Sequence, residues 1–93
     1  MKYVYPALFT DCEEGGYAVR FPDLPGTNTQ GDDLYEALLM AEASSHEWLE
    51  YLSDKNQPIP EASPLGAITP DDGQFVTLIR AEVAVNAEVV VSA

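Results

Sequence analysis

This chain of 93 residues is poor in basic side chains, with four Lys and Arg against sixteen Asp and Glu and a formal net charge of −12. Proteins that bind nucleic acids unaided need clustered Lys and Arg to replace the counterions of the phosphates. Here the basic residues are scattered, at Lys2, Arg20, Lys55 and Arg80. The charge balance argues against an autonomous nucleic-acid-binding domain. It is typical of a surface that attracts a basic partner, or of one that only keeps the protein soluble.

Cysteine and long apolar runs are also scarce. The single cysteine, Cys12, excludes an internal disulfide and a cysteine-rich metal site, as is usual in a reducing compartment. We interpret Cys12 as a replaceable turn residue. No apolar run approaches the ~20 residues that span a bilayer, and no signal-peptide pattern opens the sequence. We therefore predict a cytoplasmic protein whose apolar fraction of 46% suits one globular domain.

The most informative segment lies between Gly15 and Gly26. The pair Gly15-Gly16 provides the positive φ values that a hairpin turn requires. An alternating strand, Tyr17–Phe21, follows. Pro22 and Pro25 then remove two backbone donors, so the chain has to leave the sheet at this point. The segment predicts a hairpin that ends in a rigid loop.

Periodicity predicts four more elements. They are a strand over Lys2–Thr10, a short strand over 27–30, a helix from Asp33 to about Ser53 and a strand over Gln74–Ala81. The first strand is expected to be edge-like or bulged at Pro6. The last strand has apolar residues on both faces, as expected for a strand that is well covered. Asp33 and Glu36 form a capping box at the start of the helix. One stripe of the helix is apolar, and we expect Trp48 to be its largest buried group. The proline-rich connector between the helix and the last strand fits a compact domain only if it packs in an extended form.

The order of these elements predicts an α+β fold, a two-layer sandwich of the type β-β-β-α-β. We expect a meander of three strands with the fourth strand parallel to its neighbour, since the helix and the connector are long enough for a crossover. We expect residues 1–81 to form the domain and residues 82–93 to form a tail that can add an extra C-terminal strand. The tail alternates valines, which we expect to pair either with another subunit, forming a homo-oligomer, or with the domain's own edge. These residues are Val83, Val85, Val89 and Val91.

Nothing in the sequence indicates catalysis or a cofactor. The strands carry none of the converging carboxylates that two-metal hydrolysis needs. Helix capping accounts for Asp32, Asp33 and Glu36 better than a metal site does. His46 lies off the core stripe, on a solvent-facing part of the helix. We therefore predict a protein that is not an enzyme and holds neither metal nor cofactor.

Several motifs, taken in order, resemble one known family. They are Tyr5-Pro6-Ala7, the block Phe21–Gly26, the helix entry at Gly31, Glu36-Ala37-Leu38 and the segment Pro58–Ser63. Over residues 1–63 this set resembles the HicB-like antitoxins, which are partners of small HicA-type mRNA-cleaving toxins. The resemblance implies a partial ribonuclease-H-like fold and a protein that neutralises a small basic toxin by occluding its active surface. Only twelve residues follow Ala81, fewer than the DNA-binding segment that many such antitoxins carry, which puts DNA binding in doubt.

Two surfaces are candidates for contact with such a partner. The first is an acidic face of the helix, which is either simply solvated or meets a basic RNA-binding surface. The second is the rigid loop, which either touches the partner or only shapes the sheet edge. The residues are Glu36, Glu47, Glu50 and Asp54 on the helix, and Phe21, Asp23, Leu24 and Pro25 in the loop. The alternatives are an orphan RNA-associated or nuclease-like domain of the same fold, and an oligomerisation module of a transcriptional regulator.

Overall fold

A computed structural model describes residues 2–83, which form one four-stranded sheet and one long helix. The elements are β1 (Lys2–Asp11), β2 (Tyr17–Arg20), β3 (Asn28–Gly31), α1 (Leu34–Asp54), the 3-10 turn η1 (Leu65–Ala67) and β4 (Gln74–Glu82). The predicted α+β class and the order β-β-β-α-β are confirmed. Within this part of the chain, no helix combines the length and the apolar character needed to cross a membrane.

The sheet has the strand order β3-β2-β1-β4, and every neighbouring pair is antiparallel. The prediction of a parallel fourth strand is therefore wrong. The reason lies in the connector between α1 and β4, which runs back along the sheet. It delivers Gly73 to the end of β1, where the Gly73 carbonyl accepts a hydrogen bond from the Asp11 N–H at 2.8 Å. We call this end of the sheet, where β1 turns into β2, the hairpin end.

Pro6 occupies the one part of β1 where its missing N–H costs little. β1 pairs with β2 only over Leu8–Asp11, while β4 pairs along the other side of β1 from Lys2 to Thr10. At Pro6 the strand therefore has a single neighbour, Leu78 of β4 being directly opposite. The prediction that the strand is edge-like at this proline is confirmed, although β1 is central nearer the hairpin end.

The connector is held in an extended course by hydrogen bonds to the sheet and to the rigid loop. The Tyr5 hydroxyl donates to the Pro60 carbonyl at 2.6 Å. The Ser63 N–H and hydroxyl both donate to the Asp23 carboxylate, at 2.8 and 2.6 Å. The connector is therefore packed in an extended form, which is the condition under which the sequence fits a compact domain.

The start of α1 is capped as the sequence predicts, with one difference. Asp33 is the N-cap, and its side chain accepts a hydrogen bond from the Glu36 N–H at 2.8 Å. The Glu36 carboxylate reaches back to the N–H of Asp32, at 2.6 Å, rather than to that of the cap residue. The Asp33 carboxylate therefore satisfies an orphan N–H of the first turn, and the Glu36 carboxylate satisfies the N–H of the residue before the cap.

The helix contributes small residues to the core, and the sheet contributes the large ones. The fully buried line of α1 is Ala37, Ala41, Ser45 and Leu49. The space above the sheet is filled by Tyr5, Phe9 and Phe21, each exposed by 1% or less. Trp48 lies on the flank of α1, half-buried and stacked on Tyr51. The prediction that Trp48 is the largest buried group of the apolar stripe is wrong: Trp48 is only partly buried against the core, and Leu49 is the largest side chain of α1 that is fully buried.

β4 is covered on one face only. Ile79 and Ala81 point into the core, whereas Leu78, on the opposite face, is 52% exposed. The prediction of a well-covered strand is wrong, because α1 packs on one face of the sheet and the opposite face leaves Leu78 and Val4 about half exposed. Val83, just after β4, is buried at 6% exposure. The other tail valines, Val85, Val89 and Val91, lie outside the described residues.

The buried phenol of Tyr5 predicts a loss of stability in alkali. Burial first, and then the neighbouring Tyr3 and Asp23, raise the pKa of Tyr5 above its ordinary value of 10.0. The folded state therefore holds this proton more tightly than the unfolded chain does. Its stabilising contribution is complete below pH 10.0 and is lost as the pH rises through the raised pKa. Urea unfolding at successive pH values should show the free energy of unfolding falling above that pH.

Tyr5→Phe tests this assignment. The variant should lose about 1 kcal/mol at neutral pH, since the bond to Pro60 is removed. Its unfolding free energy should then depend less on alkaline pH than that of the unmodified chain. Tyr35→Phe is the matched control, because Tyr35 is 74% exposed. An equal alkaline slope in Tyr5→Phe and in the unmodified protein would contradict the assignment.

Candidate functional site

The rigid loop after β2 is built mainly from side chains that face inward. Phe21 is 1% exposed and Leu24 is completely buried. Within the loop, the Leu24 N–H donates to the Phe21 carbonyl at 3.0 Å, and the Thr27 N–H donates to the Leu24 carbonyl at 3.2 Å. The Asp23 carboxylate accepts both hydrogen bonds from Ser63, and Pro25 is the one exposed residue among the four loop candidates. This arrangement favours the alternative in which the loop shapes the sheet edge and anchors the connector.

The four acidic residues predicted on the helix do not form one continuous surface. Glu36 lies in the first turn and caps it, whereas Glu47 lies eleven residues further, about 16 Å along the axis. Glu47, Glu50 and Asp54 follow one another on the outer side of the last turns. We call these three residues the acidic ridge.

His46 links the acidic ridge to the sheet. Its Nε2 lies 3.5 Å from the Glu50 carboxylate, and its Nδ1 contacts the Glu82 carbonyl at the end of β4. The side chain is 43% exposed, so the prediction of a solvent-facing histidine holds only in part. The contact orients Glu50 towards β4, while Glu47 and Asp54 are exposed.

The outer face of the first turns of α1 is apolar, a feature that the sequence analysis missed. Tyr35 is 74% exposed, Leu39 50% and Met40 43%. We call these three residues the apolar patch. Met40 also lines a shallow, open depression with Arg20, Asn28 and Gln30 at the β3 edge. The signal was present in the sequence, since these residues fall outside the core stripe of the helix and yet are apolar.

The hairpin end collects acidic residues from three separate segments. β1 and β4 meet there through Asp11 and Gly73, and β3 ends there where Gly31 pairs with Tyr17. The acidic residues are Asp11, Glu13, Glu14, Asp32, Asp33, Glu36, Asp71 and Asp72. The four basic residues of the chain lie away from this end. Lys2 and Arg80 lie towards the far ends of β1 and β4, Arg20 ends β2, and Lys55 follows α1.

The described residues offer no obvious metal centre. Between residues 2 and 83, no group of three or more His, Cys, Asp or Glu side chains could hold a metal ion together. The carboxylates of Asp33 and Glu36 serve the helix cap, as predicted. What the geometry does offer is an exposed surface on the outer face of α1, where apolar side chains are followed by acidic ones.

Comparison with solved structures identifies the fold. The chain matches a toxin–antitoxin complex from Streptococcus pneumoniae with a TM-score of 0.78, at 23% identity, covering 88% of this chain and 70% of that one. It also matches a chain of a HicA3 and HicB3 toxin–antitoxin complex with a TM-score of 0.68, at 20% identity, covering 89% of this chain and all of that one. At these identities the likeness establishes the fold alone.

Comparison of sequences identifies the family. The chain is 44% identical over 62 residues to Antitoxin HicB 1 of Photorhabdus laumondii subsp. laumondii, which covers 67% of this chain and 40% of the relative. The match spans less than half the length of this relative and of Antitoxin HicB of Escherichia coli (strain K12), at 40% and 46%. The model of the HicB-like antitoxins of bacterial toxin–antitoxin systems matches residues 5–92. Since this match covers almost the whole sequence, the chain belongs to the HicB-like antitoxin family.

Proposed function

We propose that this chain neutralises a small, basic, mRNA-cleaving toxin by covering its active surface. The observation that carries the proposal is the family match over residues 5–92. The net charge of −12 supports it, because an acidic protein steers itself onto a cationic partner. A toxin that cleaves mRNA has to bind phosphates, and its substrate surface is therefore expected to be basic.

The outer face of α1 is the surface that we assign to the toxin. Protein interfaces combine an apolar centre with a polar rim. The apolar patch supplies exposed Tyr35 and Leu39, and the acidic ridge continues from it along the same helix. Helix residues are also held rigidly, so little conformational entropy is lost when they are covered. The rigid loop contributes indirectly, by fixing the connector and the adjacent sheet edge.

The proposed mechanism is occlusion and needs no catalytic group on this chain. We infer that the domain of residues 1–81 is not itself an enzyme and that it acts in the cytoplasm beside its toxin. The ribonuclease-H-like relationship stays a prediction. DNA binding by this chain alone is not part of the proposal, because its basic residues are few and scattered.

Charge reversal on the acidic ridge tests the proposed surface. We expect the double variant Glu47→Lys, Asp54→Lys to dissociate about tenfold faster from a purified HicA-type toxin that binds the unmodified chain, because two attractive contacts become repulsive. Surface plasmon resonance at several salt concentrations measures the dissociation rate and its salt dependence. The unmodified chain should also abolish RNA cleavage by that toxin.

The control is Asp71→Lys, Asp72→Lys, which changes the net charge equally at the hairpin end. It should slow association through the weaker overall field but leave dissociation nearly unchanged. Equal dissociation rates for the two double variants would remove the acidic ridge from the interface. RNA cleavage by the purified chain alone, or no binding to the toxin, would contradict the proposed function itself.

A further inference from the structure

The last turns of α1 carry two stacked aromatic rings. The ring centroids of Trp48 and Tyr51 lie 5.5 Å apart, and the two planes differ by 19°. Residues three apart on a helix are neighbours on its surface, so the helix spacing itself brings the two side chains together. Tyr51 is nevertheless 50% exposed. A large aromatic side chain is therefore accessible to a ligand at this end of the helix.

Trp48 holds the ring of Tyr51 in place. Trp48 is partly buried and packs against the core cluster. Its indole also lies next to the rigid loop, because a Cβ added at Gly26 would be 4.0 Å from the Trp48 Cη2 atom. A ring that is stacked on a fixed indole loses little conformational entropy when a ligand covers it. The Tyr51 ring is therefore preorganised for binding.

A cation already lies near the Tyr51 ring. The Lys55 Nζ atom is 5.9 Å from the ring centroid, close to the limit of ~6 Å for a cation–π contact. Lys55 is exposed, follows the end of α1, and takes part in neither of the two ion pairs described above. Its ammonium is strongly hydrated and is attached to a flexible stem. A cation that fits the ring better displaces it at small cost.

Carboxylates of the acidic ridge flank the Tyr51 ring. Glu47 precedes Tyr51 by four residues and Asp54 follows it by three, the spacings at which helix side chains are neighbours. Both acidic residues are exposed, and neither takes part in the two ion pairs described above. An aromatic face beside carboxylates suits a cation that is planar. A guanidinium meets this description better than an ammonium, because it stacks on aromatic rings and donates two parallel hydrogen bonds to a carboxylate.

We propose that Tyr51, backed by Trp48, binds an arginine side chain of the basic toxin. This inference rests on the proposed function and names the side chain that the end of α1 receives. The guanidinium stacks on the Tyr51 ring in place of the Lys55 ammonium and pairs with a carboxylate of the acidic ridge. Arginine is well suited to the recognition of phosphates. A toxin that binds mRNA is therefore expected to present arginines on the surface that this chain covers.

The distribution of charge favours arginine over a nucleobase. Stacked aromatic rings beside a lysine also fit a base of single-stranded RNA. Here, however, the acidic ridge brings three carboxylates to the same turns as Lys55, and the chain as a whole carries a net charge of −12. Such a field repels the phosphates on either side of a base and attracts a guanidinium.

Two peptides of equal charge separate recognition of the guanidinium from attraction to charge alone. Fluorescence anisotropy of labelled hexa-arginine and hexa-lysine measures the two dissociation constants. The unmodified chain should bind the arginine peptide about fivefold more tightly, and Tyr51→Leu should reduce this preference to about twofold or less. Tyr51→Phe keeps the ring and should keep the preference. Leu65→Ala, at a side chain of η1 that is 47% exposed, is the control and should leave it unchanged.

The same variants are then compared on a purified HicA-type toxin that binds the unmodified chain. Tyr51→Leu should bind this toxin about fivefold more weakly, and Tyr51→Phe should bind nearly as well as the unmodified chain. Lys55→Ala should bind about twofold more tightly, because the competing ammonium is removed. Lys2→Ala removes an equal charge from β1 and should have a smaller effect. Circular dichroism confirms that each variant is folded.

Three results would overturn the arginine site. They are an arginine preference that survives Tyr51→Leu, toxin binding that this variant leaves undiminished, and binding of single-stranded RNA that this variant abolishes, since the ring would then stack on a base. Failure of the proposed function looks different. If no HicA-type toxin binds the unmodified chain, the proposed function is wrong, while the ratio of the two peptide affinities still decides whether Tyr51 receives arginine.

Discussion

Gly31→Ala is expected to lower the free energy of unfolding by about 3 kcal/mol or more. Gly31 ends β3 and is buried against the first turn of α1. A Cβ at this position would lie 2.3 Å from the Ala37 nitrogen and 2.6 Å from the Ala37 Cα. Both are backbone atoms, so no flexible side chain can move aside. The helix would have to shift away from the sheet, and the closely packed line that begins at Ala37 would separate.

The matched control is Gly66→Ala, in the η1 turn of the connector. A Cβ at Gly66 meets no atom within 4 Å. Gly66 is also absent from the left-handed backbone positions of the chain, so alanine is tolerated there. Urea unfolding followed by circular dichroism compares the two variants. If both unfold at the same urea concentration as the unmodified protein, the close contact of α1 with β3 is wrong.

Leu24→Ala is expected to cost about 3 kcal/mol, within the range seen when a fully buried leucine is truncated. Leu24 belongs to the rigid loop, which the sequence offered as a partner-binding segment. Its side chain is completely buried in the core cluster. The substitution should therefore destabilise the free protein, and toxin binding should weaken only as far as the folded fraction falls.

Leu39→Ala is the control for this experiment. It makes the same change at a leucine that is 50% exposed in the apolar patch of α1. The unfolding free energy should change by less than about 0.5 kcal/mol, because surface substitutions rarely do more and alanine favours helix. On the proposed function, Leu39→Ala should weaken toxin binding while Leu24→Ala destabilises the fold. The reverse pattern would show that the loop, rather than α1, is the contact surface.

Much of the fold was predictable because it depends on local rules. The helix start at Asp33 follows from a side chain that can accept the N–H of Glu36. The Glu36 carboxylate adds a second bond of the same kind, since it accepts the N–H of Asp32. The exits from the sheet follow from Pro22 and Pro25, which cannot donate. The direction of β4 was not predictable in this way. It depends on the path of the connector, which is set by bonds between residues 40 and 55 positions apart, Asp23 with Ser63 and Tyr5 with Pro60.

The candidate surface also combines features that the sequence predicts with features that only the structure shows. That the helix bears acidic residues is visible in the sequence, but the separation of Glu36 from the acidic ridge needed the helix geometry and the cap. The apolar patch lies outside the apolar stripe that the sequence predicts for the helix, so its residues could have been recognised there, but how far they are exposed was known only from the structure. Burial of Phe21 and Leu24 likewise favours one of the two roles that the sequence had left open, that of shaping the sheet edge.

By itself the sequence determined the acidic character of this protein, the type and approximate bounds of its strands and helix, and its resemblance to the HicB-like antitoxins. These properties come from composition, short-range hydrogen bonding and motifs that are contiguous in the chain. Only the tertiary structure decided that β4 is antiparallel with a free edge, that the loop faces inward, and that acidic residues gather at the hairpin end. Each of these depends on contacts between segments far apart in sequence, whose geometry no local pattern encodes.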